Sequence, residues 1–358
     1  MPDKYLEIAS MSRLSPGTCT PPRICLLHDA PAAGGVATVT RALVEGLRAA
    51  GWPVEIQHAA PQRGPALLAA ARRSDVLLAA HNFRPAYVAW ALGLAARRRA
   101  VVWVHGPVDT VLEQARAGAG KQAWLRWLYG RVSHCVFVSR SSQAAFQRFM
   151  REGSRKSPAL HVVHNPAPPP SDDARPAWAT RRHGPVRMGY MGRLSAEKNP
   201  QLLLETLRRL PPEFHLSLAG DGPLRGALET GSQDLQQAGR LRWLGHVEDS
   251  AGFCREQDLT LLTSRYEGCP MAALESLSLG VPCVGVPIPA LQEMLRDHAP
   301  YLLARENSAQ ALADAVLVTL RTPATIVQAD LQRILEQYRH ADFLAGWQSV
   351  LREAAGRC

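Results

Sequence analysis

Two short stretches of this 358-residue chain bring cations and carboxylates to places where ligand chemistry would use them. In MGYMGRLSAEKNPQLLLETL an apolar run ends with Gly189 and Gly192, and Arg193 and Lys198 follow just before a helical pattern. Two cations at a strand-to-helix turn, beside free backbone amides and the positive end of a helix, can grip both phosphates of a diphosphate. An ordinary surface loop would carry the same residues, and this stretch alone does not choose between the two. In SRYEGCPMAALESLSLGVPCVG, Glu267 stands at the loop end of a strand and Glu275 eight residues later within the next helix. Gly268 and Pro270 shape the turn. The small Gly268, Ala272 and Ala273 let backbone amides come close to a ligand at the helix start, where a phosphate is favoured. Glu275 lies among Leu274, Leu277 and Leu279, so its carboxylate needs a partner, and the vicinal hydroxyls of a ribose would supply one. A glutamate on the wet face of the helix is the weaker alternative.

Other constellations are weaker. LSLAGDGPLRGALE follows an apolar strand with G-x-G and opens a helix, but Gly226 comes one place late for a dinucleotide fingerprint. No acidic residue stands at a convincing strand end about 20 residues further on. The first loop has adjacent Gly34 and Gly35 without that fingerprint, which ranks an NAD-linked oxidoreductase low. Seven cysteines, Cys19, Cys25, Cys135, Cys254, Cys269, Cys283 and Cys358, form no C-x-x-C pair. That argues against a structural zinc or a disulfide framework and for a reducing cytoplasm. The histidines include no H-E-x-x-H, and His161 and His164 in HVVH would leave a strand on opposite faces, so no protein metal site is expected. In KQAWLRWLYGR, Trp124, Leu125, Leu128 and Tyr129 recur at helical spacing, which predicts core packing. Base-stacking platforms at Trp124 and Trp127 are a lesser reading, as is a membrane contact with Lys121, Arg126 and Arg131 toward head groups.

The elements that must position these residues read as two α/β halves. The length suits two domains, and 46% hydrophobic with 20% charged residues is a globular balance. No apolar run approaches the roughly 18 residues of a membrane span. Strands are predicted at 24–28, 54–59, 76–81, 100–105, 135–139 and 161–165, and again at 186–192, 215–220, 240–245, 259–264 and 282–286, with helix-length segments between. That rhythm means parallel sheets of βαβ units. The proline-rich NPAPPPSDDARPAWATRRHG separates the series, so the boundaries read as a loose tail 1–22, a first domain 23–168, a linker 169–184 and a second domain 185–338. A last helix over 339–358 crosses back to the first domain. Ligands of open parallel sheets bind beyond the carboxyl ends of strands, and two such halves would face each other across a cleft. The net charge of +10 is uneven: residues 1–170 hold 21 Lys/Arg against 9 Asp/Glu, and the remainder 20 against 22. Such a basic half suits an anionic partner, a phospholipid head group, a lipid diphosphate or nucleic acid, although solvated arginine-rich helices explain it equally well.

Together, the order and separation of the two stretches resemble the retaining glycosyltransferases of family four, which have the GT-B fold. The resemblance rests on Gly192-Arg193-Leu194 with Glu197-Lys198 for the family's G-R-L-x-x-E-K, on Ala219 to Pro223 for A-G-x-G-P, and on Glu267 and Glu275 for E-x7-E. Weaker matches are Gly34-Gly35, VHG at 104–106, VFVSRSS at 136–142 and VVHNP at 162–166. The chain departs from the family at Cys269, where many members have an aromatic residue, and at His164-Asn165-Pro166, where proline-asparagine-glycine is usual.

The resemblance implies two Rossmann-like parallel-sheet domains facing a central cleft. It implies transfer of a sugar, with retention, from a nucleotide-diphosphate sugar, commonly a UDP-sugar, to an acceptor hydroxyl. Arg193 and Lys198, beside Gly192, would hold the donor diphosphate, and Glu275 the ribose. Glu267 and the backbone of Gly268, Cys269, Pro270, Met271 and Ala272 would contact the sugar. His105 would approach that sugar from the other domain, with Gly34 and Gly35 near the phosphates and the acceptor. No cofactor and no metal are implied beyond the donor itself. The expected partner is a carbohydrate or lipid-linked glycan acceptor in cell-surface glycan synthesis. The expected place is the cytoplasm, at the inner face of the membrane, with the basic half toward anionic lipid; nucleic acid ranks below it. A GT-B-like epimerase or phosphorylase is the nearest rival, disfavoured by the E-x7-E pair, and a non-catalytic basic binding protein is the rival from another class.

Overall fold

Short runs rich in Val, Ile and Leu form two separate parallel sheets. The computed structural model describes residues 20–29, 34–151, 157–169 and 184–357. The first sheet comprises β1 Ile24–His28, β2 Val54–His58, β3 Val76–Ala79, β4 Arg99–Val104, β5 His134–Phe137 and β6 Ala159–Val162, in the order β2-β1-β3-β4-β5-β6. The second comprises β7 Val186–Met191, β8 Phe214–Ala219, β9 Leu241–Gly245, β10 Leu259–Leu262 and β11 Cys283–Gly285, in the order β11-β10-β7-β8-β9. Every strand pair in both sheets is parallel.

Helices cover both faces, which is why β3, β5 and β10 are buried throughout rather than alternating with polar residues. In the first sheet Cys25, Leu27, Val102 and Phe137 face one core with the helices Gly64–Arg73, Arg84–Ala96 and Ala119–Tyr129. Leu26, Val101 and Trp103 face the opposite core with the helices Gly35–Ala49 and His340–Ala355. The second of these is the end of the chain, returned to the first sheet: Trp347 packs edge-on to Trp103 with ring centroids 4.7 Å apart. Leu344 presses against Gly46, where any side chain would collide. Residues 1–19 of the expected tail and 170–183 of the expected linker lie outside the described residues.

Three local expectations are corrected. The sixth strand lies at Ala159–Val162 rather than 161–165, and its last ladder bond is Val163 N–H to Phe137 O. Trp124 is not core: Leu125, Leu128 and Tyr129 are fully buried, but Trp124 is 47% exposed. Arg126 does not face outward, since its guanidinium lies 4.5 Å over Phe149 and donates to Phe149 O at 2.8 Å.

Candidate active site

The carboxyl ends of both sheets open on one cleft of about 850 Å³. From the second domain, Gly192 and Arg193 follow β7, and Lys198 closes a 3-10 turn at Ala196–Lys198. Glu267, Gly268, Cys269 and Pro270 form the turn after β10, and Met271, Ala272 and Glu275 sit on the helix Met271–Ser278. From the first domain, Gly34 and Gly35 start the helix Gly35–Ala49, and His105 follows β4. The thirteen residues to which the resemblance gives ligand contacts therefore line a single cavity, whereas Ala273 is buried behind it.

The cations are held unequally. Lys198 Nζ donates to Glu267 Oε1 at 2.6 Å, and Ser264 Oγ donates to the same oxygen at 2.7 Å. Arg193 is exposed to the cleft and makes no ion pair with a described residue. Only some of the amides predicted to be free beside these cations are so. Leu194, Ser195 and Lys198 donate their N–H groups to Asp221, Arg193 and Ser195 carbonyls, and the helix itself begins only at Gln201. The turn spends these three amides on its own geometry, so its anion binding rests chiefly on side chains. Uncommitted amides, those of Met271 and Ala272, also open the helix Met271–Ser278, which starts at the cleft.

Glu275 stands one turn further into that helix. Burial pushes its carboxyl above the ordinary carboxylate value, and the carboxylate makes no hydrogen bond to a described residue. His105 sits opposite. Its Nε2 lies 2.9 Å from Ala80 O, and because a carbonyl only accepts, Nε2 carries the proton and Nδ1 the lone pair. Burial, reinforced by His81, pulls the imidazole down to about 3, so it is neutral through the physiological range. The Cys269 thiol is pushed up by burial and by Glu267 and Glu293, which leaves it protonated and unreactive.

Glycines mark where backbones meet. A Cβ on Gly268 would strike the His105 carbonyl of the other domain, and one on Gly35 would come within 3.2 Å of Met271 Cγ. Gly220 has φ +140° and lies against the Gly192 carbonyl, so the A-G-x-G-P turn buttresses the Gly192-Arg193 loop. That packing accounts for the glycines that mimicked a dinucleotide fingerprint. A further tie crosses the domains at Glu293, whose two carboxylate oxygens accept the N–H of Arg140 and of Ser141, each at 2.8 Å, and contact His164 Nε2 at 3.1 Å.

Some lining residues escaped the sequence reading: Asn165, Asp221, His246, Glu248 and Ser250. Asp221 and His246 each follow close on a strand end, after β8 and β9, and the rule that ligands sit beyond carboxyl ends would have found them. His134, His161 and Glu353 also meet, away from the cleft, with His134 Nε2 3.5 Å from Glu353 Oε1. His134 Nδ1 is buried without a partner, whereas a metal-bound imidazole ordinarily donates its second nitrogen, so the trio reads as a tie for the last helix.

Solved structures share this fold. Anabaena HepE, solved in complex with UDP, superposes with a TM-score of 0.76 at 18% identity, covering 92% of this chain and 100% of that one. Sucrose-phosphate synthase from Thermosynechococcus elongatus gives 0.77 at 18%, covering 92% and 98%. The fold is GT-B. Within that GT-B frame, residues 185–322 match the family described as Glycosyl transferases group 1. The lipopolysaccharide core biosynthesis glycosyltransferase LpsE of Rhizobium meliloti is 32% identical over 137 residues, 38% of this chain and 40% of that protein. The UDP-Gal:alpha-D-GlcNAc-diphosphoundecaprenol alpha-1,3-galactosyltransferase of Escherichia coli is 34% identical over 100 residues, 26% of each. The chain spans less than half the length of these curated relatives.

Proposed function

We propose that the protein transfers a sugar, with retention and without a metal, from a nucleotide-diphosphate sugar to an acceptor hydroxyl in glycan synthesis. A UDP-sugar is the donor we favour, because solved relatives of this fold are described with UDP. The observation that carries the reading is the convergence of Arg193, Lys198, Glu267 and Glu275 on one cleft with the open helix start at Met271. Arg193, Lys198 and the first-turn amides receive the diphosphate, and Glu275 accepts hydrogen bonds from the ribose hydroxyls. Glu267, freed from Lys198 as that cation turns to phosphate, contacts the sugar. In the reaction the bond between the anomeric carbon and the diphosphate oxygen breaks, with the electron pair leaving on the oxygen. The acceptor oxygen bonds the same face of that carbon, and its proton passes to the departing phosphate. Charge builds on the diphosphate in this step, and fixed cations and amides aimed at it lower the barrier most.

The acceptor enters from the first domain. A second cavity of about 340 Å³ lies under the helix Gly35–Ala49, lined by Thr40, Arg41, Glu45, Arg48 and His81, and Val36 borders both cavities. Its mix of charged and apolar lining suits a lipid-linked glycan. Donor binding is tested by thermal shift with UDP, GDP, ADP and dTDP: one nucleotide should stabilise the protein clearly over the others, and indifference to all four overturns the reading. Lys198→Ala and Glu275→Ala should each lower transfer by about 10²-fold or more with the fold intact, while chelators leave it unchanged. Full activity in either variant refutes the site.

A further inference from the structure

We propose that an aromatic ridge on the flank of the first domain docks the protein on an anionic bilayer. The helices Arg84–Ala96 and Ala119–Tyr129 lie side by side and carry it. Trp124 stacks on Trp127 with ring centroids 4.6 Å apart and planes 15° apart, Trp127 meets the edge of Trp90 at 4.9 Å, and Tyr87 lies beside Trp124 at 6.4 Å. Tyr87, Trp90 and Leu94 fall at positions i, i+3 and i+7, so they share one helix face. Leu94 is 65% exposed and Trp124 47%, the largest exposure of an aliphatic and of an indole among the described residues.

Charge identifies what covers this ridge. Residues 84–98 and 116–131 contain seven Lys/Arg and no Asp/Glu. Arg84 is within 3.7 Å of Asp29 and Arg126 is turned onto Phe149, which leaves five cations, among them Lys121 one turn before Trp124 and Arg97 just after Leu94. Arg131 lies 4.0 Å over the Trp127 ring and stays exposed at the rim. Indoles and a tyrosine flanked by cations match the boundary between lipid head groups and acyl chains. A protein partner of equal charge complementarity would need a dense acidic surface around an apolar centre, whereas an anionic bilayer supplies both by nature. Nucleic acid fits worse, because the indole faces are turned to each other and to Arg131 rather than left open for bases.

The contact is peripheral, since no helix among the described residues is long and apolar enough to cross a membrane. Its position is useful. The helix Arg84–Ala96 starts close after β3, at the carboxyl edge that opens on the cleft, so Tyr87 and its neighbour Trp124 lie toward that edge. A bilayer against this flank would bring a lipid-borne acceptor to that edge, around which it would reach the first-domain cavity on the opposite face of the sheet, and only that consequence rests on the transferase reading.

Co-sedimentation with vesicles rich in phosphatidylglycerol, against phosphatidylcholine alone, tests the proposal on the full chain at low and at high salt. Wild type should sediment with the anionic vesicles, and its tryptophan emission should shift to the blue. Lys121→Ala should weaken binding about fivefold and Trp124→Ser about tenfold, with salt reducing the wild-type signal. Nucleotide-induced thermal shifts should be the same in both variants and wild type, which separates this test from the donor-site test. Absence of anionic-vesicle binding at low salt overturns the proposal. So does unchanged binding in both variants, tighter binding to single-stranded oligonucleotide than to vesicles, or a concentration-dependent dimer that Trp124→Ser abolishes.

Discussion

Glu275 carries opposite demands at one residue. Its carboxyl is buried in the cleft wall, which raises its proton affinity, yet ligand binding there uses the ionised form as acceptor. The folded state therefore binds that proton more tightly than the unfolded chain, so the residue costs stability once pH rises above the ordinary carboxylate range. Glu275→Gln should raise the melting temperature at neutral pH and lose that advantage in acid, while nucleotide binding falls. Calorimetry across pH reads the first effect, and an equal melting temperature at neutral pH would contradict it. Lys198 and Glu267 form the complementary case. Their 2.6 Å contact holds two groups of opposite charge in place in the absence of ligand, so that a diphosphate has to draw Lys198 away from its carboxylate. No sequence pattern announces this pairing, because the two residues lie 69 positions apart and meet only where β7 and β10 are neighbours.

Helix ends do much of the positioning. The helix Arg140–Arg151 begins with N–H groups that its own chain cannot satisfy, and Glu293, from Pro289–Leu295 in the other domain, caps them. Burial alone would raise the Glu293 carboxyl, but hydrogen bonds from His164 and from the Arg140 and Ser141 amides outweigh it and hold the group below its ordinary value. Stability from this tie is thus present at neutral pH and lost as pH falls through the lowered folded value. Glu293→Ala should cost about 2 kcal/mol in urea unfolding at neutral pH, and the cost should shrink in acid. An unaltered unfolding midpoint would show that the cap adds nothing. Element identity was legible in the sequence because apolar runs and helical spacing are local. Strand ends were not. The ladder of β6 ends with the Val163 N–H, and the chain then runs along the cleft, where Asn165 Nδ2 lies 3.6 Å from Met271 Sδ.

Across the whole molecule, two contacts set how closely the domains approach. Gly268 lies against the His105 carbonyl, and Gly35 against Met271. Gly268→Ala would drive a methyl group into the opposing backbone and hold the cleft further open. Transfer should fall by about 10²-fold, since small misplacements of reacting groups cost that much, while each domain keeps its secondary structure. Small-angle scattering and circular dichroism would read these outcomes together, and full activity with unchanged dimensions would refute the close approach. The last helix links the same two domains. It leaves the second at Tyr338, whose carbonyl accepts Ala167 N–H at 2.8 Å, and buries Phe343 and Trp347 in the first. Opening the cleft therefore moves both chain crossings as a pair.

The sequence by itself determined the two α/β halves and, through its motifs and the resemblance they carry, thirteen of the residues that line the cleft. The halves follow from short-range pattern and the donor-side residues from glycines at turns and a carboxylate in an otherwise apolar helix, whereas His105, Gly34 and Gly35 came from the family resemblance. Tertiary structure alone decided which groups meet. It paired Lys198 with Glu267, opened the start of Met271–Ser278 on the cleft, and turned Trp124 outward and Arg126 inward. These outcomes depend on which strands are neighbours and on which helix covers which face. Helical spacing reports that Trp124 shares a stripe with Leu128, but only the packed neighbours report where the edge of the core falls.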